Sequence, residues 1–150
     1  MGYSAFEKKD MSWEKVPVSN AATADPAAAA NPAEVTVPTG KTWLILHMSV
    51  TAVTDANAAN RYATVAVKDD GTNISRTYVD PAPHVASTTA SHEFIPGGSA
   101  QTTLRGVNVG SLPAMGLELP AGAKFQLVFT SIQAADDLGP LYYAYKEIAV

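Results

Sequence analysis

Apolar positions along this chain recur every second residue rather than every 3.6, so the pattern predicts strands. Residues 61–68, RYATVAVK, set Ala63, Val65 and Val67 against Tyr62, Thr64, Ala66 and Lys68, as in a half-buried strand. Residues 124–132 set Phe125, Leu127 and Phe129 against Val128 and Ile132, and residues 141–150 set Leu141, Tyr143 and Tyr145 against Tyr142, Ala144, Ile148 and Val150. Shorter strands are predicted over 73–79, with Ile74, Arg76 and Tyr78 on one face, over 90–95, with Phe94 as core residue, and over 102–109. The longest predicted strand, 42–53, is different. Alternation puts Leu44, Leu46, Met48 and Val50 on one face and Trp43 and Ile45 on the other, so either face could meet the core.

Turn residues separate these runs. Asp69-Asp70-Gly71-Thr72 suits a hairpin, Pro96-Gly97-Gly98 closes a strand, and Pro81 and Pro83 rule out a central strand over 80–84. No window holds a helical period for three turns, so the class is all-β. One unit returns: VTVPTGKTWLIL (35–46) reappears as LELPAGAKFQLV (117–128), each matched residue 82 positions later. In each copy the proline presets φ for the second turn position, and the glycine takes φ > 0 without a Cβ clash. Long strands at equivalent places in two halves suit a jelly-roll-like two-sheet β-sandwich better than an immunoglobulin-like one.

The first 33 residues are different in kind. Trp13, Val16 and Val18 can form a short strand broken by Pro17. Residues 19–33, SNAATADPAAAANPA, are alanine-rich, but Pro26 and Pro32 leave only five residues between them, too few for a stable helix. Residues 1–33 therefore read as an extended N-terminal arm or linker and 34–150 as the sandwich domain. The arm is either a surface loop or a strap that docks on another subunit.

Composition narrows function mostly by exclusion. A net charge of −4 without a basic run lacks the electrostatic footprint of nucleic-acid binding. No apolar run approaches membrane-spanning length and no leader-like segment opens the chain, so neither membrane nor export is expected. With no cysteine, thiolate chemistry and disulfides are absent. His47, His84 and His92 offer no His-x-His or His-x-x-x-His pair and read as surface or strand-facing residues. Asp69-Asp70-Gly71 and Asp136-Asp137 could gather oxygen ligands for calcium, yet Asp-Gly is also ordinary hairpin chemistry. The reading is a protein with no cofactor and no catalytic activity. Trp13, Tyr78, Tyr142, Tyr143 and Tyr145 could line a sugar-binding face, although aromatics at alternating strand positions more often serve core or subunit contacts. Arg61, at the entry to a strand, is either a surface charge or a planar fork bridging loops or subunits.

The stretches VPTGKTWLIL (37–46), ANRYATVAVKDDG (59–71) and LPAGAKF (119–125) together resemble small β-sandwich structural proteins of tailed bacteriophages, above all head decoration (cement) proteins. The resemblance spans about residues 35–148. It implies a virion protein made in the host cytoplasm that binds the major capsid protein on the capsid exterior, as a homo-oligomer and most simply a trimer, and stiffens the lattice without turnover. The interface candidates are Trp13, Pro26, Pro32, Trp43, Arg61, Tyr142, Tyr143 and Tyr145. The rival reading is a receptor- or carbohydrate-binding module of a phage tail tip or head fibre.

Overall fold

The computed structural model describes residues 13–98, 101–104 and 107–150, the side chains of 101–104 excepted. After one 3-10 turn at Trp13–Lys15, the strands are β1 (Ser19–Ala22), β2 (Val35–Thr36), β3 (Lys41–Val53), β4 (Ala63–Lys68), β5 (Arg76–Val79), β6 (Thr89–Pro96), β7 (Gln101–Leu104), β8 (Val107–Leu112), β9 (Leu117–Leu119), β10 (Lys124–Phe129), β11 (Asp137–Leu138) and β12 (Tyr142–Ala149). The larger sheet runs β1-β12-β3-β6-β8-β7, with β9 and β11 also on β3, and the smaller runs β2-β10-β4-β5. They pack face to face as the two-sheet β-sandwich that the alternation predicts. Pairing is antiparallel except between β6 and β8, which run parallel.

Strand β3 is the spine of the larger sheet. On one edge it holds β12 and then β11, on the other β9 and then β6. Its ambiguous faces are settled by a bulge. Ile45 pairs with Tyr145 and His47 with Ala144, which leaves Leu46 without a register partner on β12. One extra residue reverses side-chain parity. Trp43 and Ile45 therefore join Met48, Val50 and Ala52 in a single core face, against Val65 and Val67 of β4 and Phe125 and Leu127 of β10. Strict alternation had placed Trp43 opposite Met48.

The two copies of the repeated unit exchange partners: β2 of the first pairs with β10 of the second, and β9 of the second with β3 of the first. Each Pro-x-Gly turn thus carries the chain from one sheet to the other. Gly40 and Gly122 take φ of 73° and 79°, as expected. The prolines act differently from expectation: the carbonyls of Pro38 and Pro120 accept from the amides of Lys41 and Ala123, so proline occupies the first corner rather than the second. Val37 locks the turns together, its N–H donating to Ala123 and its carbonyl accepting from Gly122. A Cβ at Gly40 or Gly122 would meet nothing within 4 Å. Only backbone strain should oppose it, so Gly40→Ala and Gly122→Ala are each expected to cost about 1 kcal/mol in urea unfolding.

Residues 13–33 do not leave the domain. β1 pairs with β12 from Ser19↔Tyr145 to Ala22↔Tyr142. The Asn31 side chain accepts from the Phe129 amide at 2.7 Å, and Gln126 Nε2 donates to the carbonyl of buried Pro32 at 2.7 Å. Pro26 is half-buried, and the Trp13 carbonyl accepts from Lys146 Nζ. Main-chain pairing of Ser19–Ala22 to β12 and the bonds to Trp13, Asn31 and Pro32 thus lay these residues against the sandwich of their own chain. Residues 1–12 of the expected arm lie outside the described residues.

Two other expectations change. The strand foreseen over 102–109 is two antiparallel strands, β7 and β8, with Arg105 and Gly106 outside the described residues. Ile74 lies in the turn before β5 and is exposed, because Asp70 caps the amides of Thr72 and Asn73 and lengthens the turn.

Candidate functional site

One end of the sandwich gathers the connections that link β3 to β4, β5 to β6 and β10 to β11. Arg61 lies beneath them, just ahead of β4, at 1 % exposure. Its Nε donates to Asp136 Oδ2 at 2.7 Å and its Nη2 to Asp136 Oδ1 at 2.8 Å, the two-point geometry a planar guanidinium favours. Nη2 also meets Asp55 Oδ1 at 2.7 Å, and Nη1 donates to the carbonyls of Asn57 and Ala59. Asp136 in turn accepts the amides of Asp55 and Gln133. Burial pushes the Asp136 carboxyl up, but bonds from Arg61 and those two amides outweigh it and leave the group below its usual range. The bond to Asp136 first, opposed by burial, raises Arg61 above its ordinary value. Arg61 is therefore a bridge between loops of its own chain. So deeply buried a side chain is not available to a neighbouring subunit, which corrects its place among the interface candidates.

A second buried chain of polar groups adjoins it. His84 is 2 % and His92 0 % exposed. Asp80 Oδ2 lies 2.9 Å from His92 Nδ1, His92 Nε2 lies 2.8 Å from His84 Nδ1, and His84 Nε2 lies 3.2 Å from the Thr88 carbonyl. A short backbone bridge joins His84 to Arg61, so the two clusters share an element. The edge of Phe129 packs on His92. Desolvation, and after it the positive neighbours His92 and Arg61, hold His84 below its ordinary value despite the Thr88 carbonyl. Reading these histidines as surface or strand-facing residues missed the pair. The spacing rules look for ligands on one strand face, whereas here the loop after β5 folds His84 back over β6.

Backbone strain collects at the same end. Ala29, Ser87 and Ser131 are the described non-glycine residues with positive φ, at 60°, 56° and 56°. The amide of Ala29 donates to the Asp136 carbonyl and that of Ser87 to the Asp55 carbonyl. Left-handed conformations of this kind persist where surrounding structure over-determines them. Above the cluster lies an apolar depression of about 390 Å³ lined by Ala58, Ala59, Asn60, Val85 and Ala86. A smaller hollow of about 160 Å³ adjoins His84, Thr88 and Asn108.

The remaining sequence candidates separate. Trp43 is buried, stacked on Tyr145 at 4.1 Å, and donates from Nε1 to Glu147 at 2.8 Å. Tyr143 is buried edge-on to Phe125. Both are core residues, which removes them from the contact surface. Tyr145 is half-buried and Tyr142 is 54 % exposed, so of the LYYAY cluster Tyr142 alone projects fully outward. Asp69 pairs with Arg76, and Asp70 caps its own turn. Among the described residues no group of three or more His, Asp or Glu side chains is placed to hold a metal ion. Comparison with known proteins adds no name: no family model, no curated protein and no solved structure matches this chain.

Proposed function

We propose that this chain is a structural protein of a tailed-phage virion that binds the outer surface of the assembled capsid, through the loop end of its sandwich, and reinforces the lattice without turnover. The observation that carries the loop end as the contact is its dense network of buried hydrogen bonds and ion pairs. Arg61, Asp55 and Asp136, and beside them Asp80, His84 and His92, tie three connections and β6 together, and no described buried side-chain polar atom lacks a partner. Groups committed in this way are poor acids, bases or nucleophiles, but they hold a surface ready-made. A pre-organised surface loses little entropy on docking. The alanine-lined depression offers room for a projecting apolar side chain, and many copies on a lattice add weak contacts into firm attachment.

The test is co-sedimentation of the purified protein with empty expanded capsids, with light scattering for its own oligomeric state. Binding at a fixed copy ratio and a small oligomer, a trimer foremost, is the expected result. Ala58→Arg should fill the depression from an exposed position and weaken capsid binding by about tenfold or more at unchanged melting temperature. A protein that ignores capsids and binds a glycan array would move the assignment to the receptor- or carbohydrate-binding module. The burial of Tyr143 weighs against that reading, since it withdraws one of the five candidate rings from solvent.

A further inference from the structure

The chain from Asp80 to Thr88 contains three contacts that each need one proton. With Asp80 ionised, its carboxylate and the Thr88 carbonyl only accept, so His92 Nδ1 and His84 Nε2 both donate. A third proton must lie between His92 Nε2 and His84 Nδ1. Two neutral imidazoles carry two protons in all. Three protons on four ring nitrogens make the pair a monocation, which Asp80 neutralises. With His84 neutral and protonated on Nε2, its Nδ1 is the acceptor and His92 is the imidazolium beside Asp80.

A fourth proton has no place. It would set two N–H groups against each other across 2.8 Å and two cations side by side. Among the described residues, the charged groups around the pair are Asp80 on the loop itself, Arg61 at the backbone bridge and Asp136 beyond it, with Asp55 on the far side of Arg61. Val50 of β3, Asn108 of β8 and Phe129 of β10 border His92 without charge. Asp136 is already committed to Arg61, so among the described residues no anion is left for the added cation.

We infer that His84 and His92 form a proton-operated latch: the loop 80–88 is held on β6 while the pair carries one charge and is released when the pair takes up a second proton. His84 is the member that leaves, because it belongs to the loop whereas His92 is anchored within β6. Ser87, in a left-handed conformation, relaxes on release. Val85 and Ala86 line the depression, so acid reshapes that surface. The latch holds whatever the loop end binds, and its test does not involve a capsid.

The experiment is hydrogen exchange on the full chain from pH 7.5 to 5.0, expressed as protection factors, for the amides of His84, Ser87 and Thr88, which bond across to Arg61, Asp55 and Thr54. Opening that takes up one proton should lower their protection about tenfold per pH unit below roughly 6.5, about thirtyfold by pH 5.0, while β3 and β10 keep theirs. His84→Gln can accept from His92 and donate to Thr88 without titrating, so it should keep the loop closed and its protection level across that range. Loop protection that stays level with pH in the wild-type chain, or an equal slope in His84→Gln, overturns the latch. Should the variant not fold, nitrogen-15 imidazole spectra of the wild-type chain at pH 7.5 decide. Three ring N–H protons on the pair are expected, and two or four overturn the proposal.

Discussion

Replacing Arg61 with methionine is expected to destabilise the fold by about 3–5 kcal/mol at neutral pH, the usual range when one partner of a buried ion pair is removed. Methionine fills much of the same volume, so the loss comes from what it leaves behind. Asp136 would remain buried at 1 % exposure, still accepting the amides of Asp55 and Gln133 but without its counter-charge. The carbonyls of Asn57 and Ala59 would lose their donor as well. Urea unfolding of the variant against the wild-type chain measures this directly, and a cost below about 1 kcal/mol would mean that water reaches Asp136 and that the loop end is not sealed.

Acid should act in opposite directions on the two proteins. In the wild-type chain Asp136 sits below its ordinary value of 3.8, so it contributes stability above that pH and loses it as pH falls toward the folded-state value. Without Arg61, burial dominates and the carboxyl moves up. The variant then gains relative stability on acidification, because protonation removes the stranded charge. The gap between the two proteins should therefore narrow from pH 7 to pH 4. The double change Arg61→Met, Asp136→Asn should cost less than the sum of its parts, since neither residue then leaves a charge unpaired.

How far the sequence reveals this molecule depends on the range of each interaction. Strands β4 and β10 can be read directly, because each buries one face and period two is then a local signal. β3 cannot, since the bulge at Leu46 reverses parity without any mark in composition. The repeat reveals two equivalent units but not that their short strands trade long partners, which is a property of the assembled sheets. The loop end is hardest. Arg61 stands 75 positions from Asp136. His84 and His92 are near in sequence, yet they meet only because the loop doubles back. Arginine at a strand entry permits a bridge between loops, and the structure shows which loops it joins. Trp43 and Tyr143 look equally fit for a surface or a core; Glu147 decides for Trp43 by accepting its indole N–H, so the ring is buried with its donor satisfied.

Gly110→Ala is expected to cost about 3 kcal/mol, at the upper end of what one added methyl usually does to a packed core. Gly110 of β8 stands in register with Phe94 of β6, across the parallel pair. A Cβ there would lie 2.3 Å from Phe94 Cε1, 2.5 Å from Cδ1 and 3.0 Å from Cζ, well inside van der Waals contact. The ring has nowhere to go: Phe94 is fully buried and pairs on its other side with buried Met48 of β3. Relief must come from an off-rotamer ring or from separating β6 and β8, and either disturbs the strand that carries His92. Phe94→Leu shortens the side chain and should itself destabilise, but combined with Gly110→Ala it should recover part of the loss, because the new methyl occupies space that the ring vacates. Additive costs in urea unfolding of the two singles and the double would show that the ring already yields. The absence of a side chain at 110 would then have a cause other than the aromatic lying across it, and the close approach of β6 to β8 would not depend on this glycine.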